Sequence, residues 1–360
     1  MRTKCVRAAW SFALCLSVAL AACDDENNEN DGPVVPPPVD ESIDLTASEA
    51  YANCFIVTEA DEYRFATRKV DGSDVEGIVS VDWLWSTKNA AGNPLVSEVS
   101  YKDGIVHFTS DGTEGNTVLA AFDAKGEVIW SWHLWMTDQP ELFAYDEGGE
   151  LMDRNLGALT TSVSDPSLRG LYYQWGRPAP FLHPSSVTGT VPAAFISAAG
   201  YEYYVHDPLL DGGSVSMTPA RALAEPWAYW SGLYAGDSND IDDWVTPQNL
   251  NLWGNASRSG SYSTSSSKSI YDPCPPGWRV PAPAAFEQAS FSRTGTPRNN
   301  VYYLRSRTGT SVTYPMGGYF TGHAFRDNGT RVNVWTNAPA QLNGRCLSTS
   351  TAFTVSASTI

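Results

Sequence analysis

Between residues 43 and 145 no run of apolar residues keeps a helical period, which removes helices as the frame of this part of the chain. Short stretches of alternating apolar and polar residues stand there instead, parted by turn residues. "NCFIVTEADEYRF" reads as two short strands around a polar turn, and "VSVDWLWST" sets Val79, Val81, Trp83 and Trp85 against Ser80, Asp82 and Leu84. "SYKDGIVHF" carries Asp103-Gly104, a dipeptide of tight hairpins, and "TVLAAFDAKGEVIWSWHLW" reads as two strands around Asp123 to Gly126. The pattern predicts a β-sandwich, and the 103 residues of 43–145 are enough for one core.

From residue 146 to residue 360 the texture changes to glycine-rich, aromatic-rich chain with little regular period. "NVYYLRS" and "VTYPMGGYF" are its clearest strands, and "PAPAAFEQASF" is its best helix candidate, with prolines near the start. Chain this irregular must be held by buried aromatic side chains, and it makes a scaffold for loops. The predicted fold class is therefore mainly β with irregular α+β. A boundary is expected between Tyr145 and Leu151, where the polar "DEGGE" interrupts the pattern.

Upstream, "MRTKCVR" is basic and is followed by an apolar run from Ala8 to Ala22, too short for a typical membrane span and laid out as a secretory signal peptide. Leu20, Ala21, Ala22 and Cys23 fit the lipobox of bacterial lipoproteins, in which the cysteine is lipidated and becomes the first residue. An ordinary signal peptide cut near the same place is the plainer reading. Residues 23–42 are acidic, then proline-rich, and without apolar periodicity; they read as a solvated tether. The acidic run after Cys23 resembles the surface-export signal of Bacteroidetes lipoproteins, a simple spacer being the alternative. Both readings place the mature chain outside the cytoplasm, and the first places it on the cell outer membrane, lipid-anchored and surface-exposed.

Cleavage before Cys23 removes Arg2, Lys4 and Arg7, leaving 20 of 23 basic residues against 40 acidic ones and a formal charge of −20. Nucleic acid is excluded as a partner on that balance, because phosphate binding needs clustered Lys and Arg. Cys54, Cys274 and Cys346 then remain beside the lipidated Cys23, an odd set that allows one internal bridge.

The stiffest stretch is "SIYDPCPPGWRVP", residues 269–281, which holds Cys274 between Pro273 and Pro275. A nucleophilic thiol needs a nearby histidine, cation or helix N-terminus, and here only Arg279 offers positive charge. None of His107, His133, His183, His206 or His323 is spaced to pair with Cys274, so a structural role is expected and catalysis is not. "GDSNDIDDW" gathers Asp237, Asp240, Asp242 and Asp243, oxygen ligands of the kind Ca²⁺ takes, but Ile241 breaks the EF-hand order; a solvated acidic loop is the competing reading. No metal or other cofactor is expected. Of the 13 tryptophans most sit in strands or motifs and read as core. Trp227, Tyr229, Trp230 and Trp244 lie in a loop-like acidic setting and are the candidates, with the four aspartates, for stacking and hydrogen-bonding a sugar.

"MDRNLGA", "GLYYQWGRPAPF", "LWGN" and "SKSIYDPCPPGWRVP", in that order, resemble the Fibrobacter succinogenes major paralogous domain of Bacteroidetes surface lipoproteins. "ANCFIV" and "VIWSWHLWMTD" resemble the β-domain that often precedes it. The resemblance covers about residues 50–345 and implies a C-type lectin-like fold for residues 146–360. It also implies that Cys274 is bridged to Cys346. "VWTN" at 334–337 resembles the Trp-Asn-Asp motif of calcium-dependent lectins, with Thr336 in the first ligand position. The expected function is a surface binding protein and not an enzyme: an adhesin or a module capturing a glycan or a host or bacterial protein, as an accessory or tip subunit of a fimbria. The other class the resemblance allows is a surface enzyme of the formylglycine-generating or glycan-hydrolase type.

Overall fold

The computed structural model describes residues 40–145, 149–181, 192–198, 204–206, 218–230, 244–245, 247–255, 267–286, 291–293, 301–306, 311–321, 324–340, 343–349 and 354–357. Cys23, most of the tether and the aspartates 237, 240, 242 and 243 lie outside them. The regular structure is mainly strand, and among the described residues no helix is long and apolar enough to cross a membrane.

The first part supplies β1 (Ile43–Asp44), β2 (Cys54–Val57), β3 (Glu62–Ala66), β4 (Ser80–Thr87), β5 (Val96–Lys102), β6 (Ile105–Ser110), β7 (Gly115–Phe122) and β8 (Val128–Met136). They are followed by the hairpin strands β9 (Leu142–Tyr145) and β10 (Gly149–Met152), then by β11 (Phe195–Ser197) and β12 (Tyr204–His206). The six-residue α1 (Pro219–Ala224) has Pro219 in its first turn and the Thr218 hydroxyl accepting from the Arg221 amide, a normal N-cap. Beyond it run β13 (Ala228–Trp230), β14 (Phe291–Arg293), β15 (Val301–Ser306), β16 (Ser311–Pro315), β17 (Tyr319–Thr321), β18 (Ala324–Arg326), β19 (Val332–Ala340), β20 (Asn343–Thr349) and β21 (Thr354–Ala357). Of the expected helix over "PAPAAFEQASF", the described residues form a 3₁₀ turn at Pro283–Phe286 and the start of β14, and 287–290 lie outside them.

Two sheets face each other, one in the order β1-β3-β6-β5 and one in the order β11-β4-β7-β8-β2. Tyr63, Phe65, Val106 and Phe108 of the first meet Leu119, Ala121, Trp130, Trp132 and Leu134 of the second in one apolar core. The β5–β6 hairpin turns through Asp103 and Gly104, both at positive φ, which is the conformation a two-residue turn needs to match the strand twist. This is the sandwich the alternation predicts.

The five-stranded sheet is covered on its other face as well. Leu84, Trp85, Val118, Ala120 and Val128 pack there with Phe181 from the later part of the chain. Both parities of β7 are thus buried, so its "VLAAF" reads as a continuous apolar run with no polar face. In β4 the predicted alternation fails at one residue. Trp83 pairs with Leu119 but Trp85 pairs with Val118, so Leu84 is the extra residue of a bulge that swings Trp85 to the opposite face. Val79, read as inward, is 62% exposed ahead of the strand.

Residues 41–360 form one compact unit. At the expected boundary β9 and β10 pair antiparallel, from Gly149–Tyr145 to Met152–Leu142, and residues 146–148 between them lie outside the described residues. β11, from the later region, adds to the edge of the earlier region's sheet beside β4.

Candidate functional site

The proline turn is built around Asp272, which is fully buried. One carboxylate oxygen accepts from Lys268 Nζ at 2.7 Å and from the Cys274 amide at 2.8 Å, and the other accepts from the Val280 amide at 2.9 Å. Lys268 also donates to the Cys274 carbonyl at 2.7 Å. Between these anchors, Pro275 to Trp278 makes a β-turn closed by Trp278 N–H to Pro275 O, with Gly277 at φ 79° where only glycine sits without strain. The turn is then fixed to the sandwich by Asn53, whose Nδ2 donates to the carbonyls of Ile270 and Asp272, each at 2.8 Å. The Asn53 Oδ1 accepts from Trp130 Nε1, and Tyr271 stacks on the Trp130 ring.

This rigid turn forms one wall of a cleft of about 700 Å³. Cys274, Trp278 and Arg279 come from the turn, Tyr172 and Tyr173 from "GLYYQWGRPAPF", Trp253 from "LWGN", Tyr319 and Phe320 from β17, and Asn333 and Trp335 from β19. Ring contacts pin the wall: Trp253 packs on Trp175 at 5.7 Å and edge-on to Trp335 at 6.5 Å, and Tyr229 meets Phe320 at 4.7 Å. Trp335 Nε1 donates to the Tyr173 carbonyl and Tyr172 Oη to the Gly317 carbonyl. Burial pushes the Tyr172 phenol up to about 12, so it stays a neutral donor. Asn333 lines the cleft with both amide atoms lacking a hydrogen-bond partner among the described residues, a costly state for a group shielded from water.

Behind this wall lies a second polar cluster that the sequence did not announce. β2 runs parallel to β8 and sets Cys54 opposite His133. The Cys54 Sγ is 3.3 Å from His133 Nδ1, and His133 Nε2 is 2.9 Å from Asn116 Oδ1. Asn116 Nδ2 donates to the Gly157 carbonyl, which fixes its oxygen toward the imidazole and assigns the proton to Nε2. Nδ1 then accepts from the thiol, with the Tyr173 hydroxyl at 3.5 Å. The order is that of nucleophile, base and orienting amide in a thiol hydrolase, but the chemistry is absent. Burial holds the Cys54 thiol far above its ordinary range and His133 down at about 3, so both are neutral. All three residues are buried, and a nucleophile needs a thiolate and access.

Several expected site residues stand elsewhere. Cys54, Cys274 and Cys346 are all buried thiols, so the Cys274–Cys346 bridge is not formed: each lines the cleft from a different element, Cys274 in the proline turn and Cys346 in β20 opposite Trp335. Burial and the neighbouring Asp272 carboxylate raise the Cys274 thiol well above its usual range, which keeps it unreactive. Trp230 and Trp244 are core residues and no stacking platform, being sealed with Trp175, Leu252 and Trp253. Trp244 donates its Nε1 to the Trp175 carbonyl. Trp227 is half-buried against the outer face of the five-stranded sheet, and Tyr229 alone of that group lines the cleft. Thr336 and Asn337 of "VWTN" are buried, and Asn337 Oδ1 accepts from Asn255 Nδ2, so neither presents an oxygen to solvent. Among the described residues no three His, Cys, Asp or Glu side chains gather as a metal site, and the aspartates named for Ca²⁺ lie outside them.

Compared with known proteins, the chain matches no family model, and neither a curated protein nor a solved structure aligns with it significantly. The family resemblance therefore rests on the motifs themselves. All four motifs of the later region, "MDRNLGA", "GLYYQWGRPAPF", "LWGN" and the proline turn, contribute residues to this cleft.

Proposed function

We propose that this chain is a lipid-anchored surface binding protein that captures an extracellular ligand in the aromatic cleft, acting as an adhesin or as an accessory or tip subunit of a fimbria. The later region is read as a C-type lectin-like domain whose motifs serve the cleft. The observation that carries the reading is the cleft: about 700 Å³, walled by tyrosines and tryptophans held in fixed orientation, and within the size range of small-ligand pockets. The sealed, uncharged Cys54–His133–Asn116 cluster gives the competing enzyme reading no activated group.

The test is a glycan and host-protein array probed with the mature protein, its Trp278→Ala variant, and a Val79→Ser variant on the exposed surface. Wild type and Val79→Ser are expected to retain the same ligand. Loss of the Trp278 ring should cost on the order of 2 kcal/mol of binding, with an unchanged far-UV spectrum. Retention of every ligand by Trp278→Ala, or turnover of a captured ligand, would defeat the reading.

A further inference from the structure

The charge on the cleft opposes the charge on the chain. The sequence carries 40 acidic residues against 23 basic ones, yet among the described lining residues there is no Asp or Glu, and there are three arginines, Arg154, Arg169 and Arg279. Arg154 is neutralised where it stands: it donates to Asp138 at 2.6 Å and to Asp153 at 2.9 Å. Arg169 has no such partner. It ends the 3₁₀ turn Pro166–Arg169, makes no ion pair among the described residues, and is near enough to the Tyr172 phenol to draw its titration downward. On so acidic a chain, a cleft lined by arginine and by no described carboxylate favours an anion where the rest of the charge would repel it.

We propose that the ligand is a carboxylate-bearing saccharide, its carboxylate paired with the guanidinium of Arg169 and its ring face laid on the aromatic wall. The proposal rests on the cleft being the ligand site. Guanidinium is the group best shaped for a carboxylate, offering a planar pair of donors. A saccharide is favoured over an acidic peptide by the rest of the lining. The polar groups that line the cleft with Arg169 include side-chain amides and phenols, those of Asn155, Asn333 and Tyr172, among its aromatic rings. That mixture suits a ring with one apolar face and a rim of hydroxyls.

The experiment is titration calorimetry of the full mature protein at low salt with three matched probes: a galacturonic acid oligomer, a neutral galactose oligomer of the same length, and hexaglutamate; sialyl and glucuronyl oligosaccharides complete the acidic set. An acidic saccharide is expected to bind and the neutral one not to. Arg169→Gln should weaken that binding on the order of tenfold, Arg169→Lys should recover part of it, and raising the salt should weaken the wild type toward the variant. Equal binding of the neutral oligomer, tighter binding of hexaglutamate, or no binding by any acidic saccharide overturns the proposal. Loss of an array ligand in Trp278→Ala, with none of these saccharides bound, leaves the cleft as the binding site and removes only the anionic sugar.

Discussion

Arg177 shows what single residues must do where so little regular structure is available. Its guanidinium is buried and donates to the carbonyls of Ala222 at 2.8 Å, Glu225 at 2.9 Å and Ala228, and to Gln174 Oε1. It closes the C-terminal end of α1 and lies over the rings of Phe181 and Trp244. Arg177→Met keeps the stem but leaves those carbonyls unpaired, and should lower stability by about 3–5 kcal/mol in urea unfolding. His133 makes a prediction in pH. Its folded pKa, depressed by burial to about 3, lies below the ordinary 6.5, so the unfolded chain binds the extra proton in between. Stability should be full above about pH 6.5 and fall as pH drops toward 3, at up to about 1.4 kcal/mol per pH unit from this one group. His133→Gln should flatten that acid limb of the urea midpoint. The thiols give a third test: alkylation of denatured, unreduced protein should label Cys54, Cys274 and Cys346 once each, and native protein at none of them. Little of this was legible beforehand. Cys54 and His133 are 79 positions apart and meet only because β2 lies parallel to β8.

Among elements, legibility followed locality. The β5–β6 and β7–β8 hairpins were readable because their turns contain their own instructions, and the bulge in β4 was not, since Leu84 is apolar like its neighbours and only the β7 register reveals it as the extra residue. The cleft was half legible. Its motifs stood out as strings, but a tryptophan in a motif looks the same whether it is sealed, as Trp175 is, or half open, as Trp278 is. β20 tests how closely these elements are fitted. A Cβ on Gly344 would lie 2.4 Å from the Trp175 ring, whose Nε1 is tied to the Thr336 carbonyl in β19. Gly344→Ala should therefore force β20 from Trp175, costing about 1–3 kcal/mol in thermal or urea unfolding.

For the whole molecule the sequence suggested two bodies joined at a polar segment, and the reason lies in the five-stranded sheet. A sheet with one wet face alternates, whereas this one is covered on both sides, and a run such as "TVLAAF" leaves open which layer each residue meets. A fragment of residues 41–145 should expose Trp85, Val118 and Trp135 and so bind a hydrophobic dye that the full chain excludes; a fragment as soluble and dye-free as the whole would show that this face needs no cover. The bond between Asn53 and the proline turn has a mechanical consequence. Asn53 lies thirteen residues after residue 40, and its one carboxamide holds the backbone of the cleft wall, so a force entering at residue 40 travels along that stretch of chain to reach the wall. On the way it meets β1, which pairs with β3 while Arg64 donates to the Ser42 carbonyl, so a pull on residue 40 is borne first by the edge of the sandwich and reaches the cleft wall only through that layer.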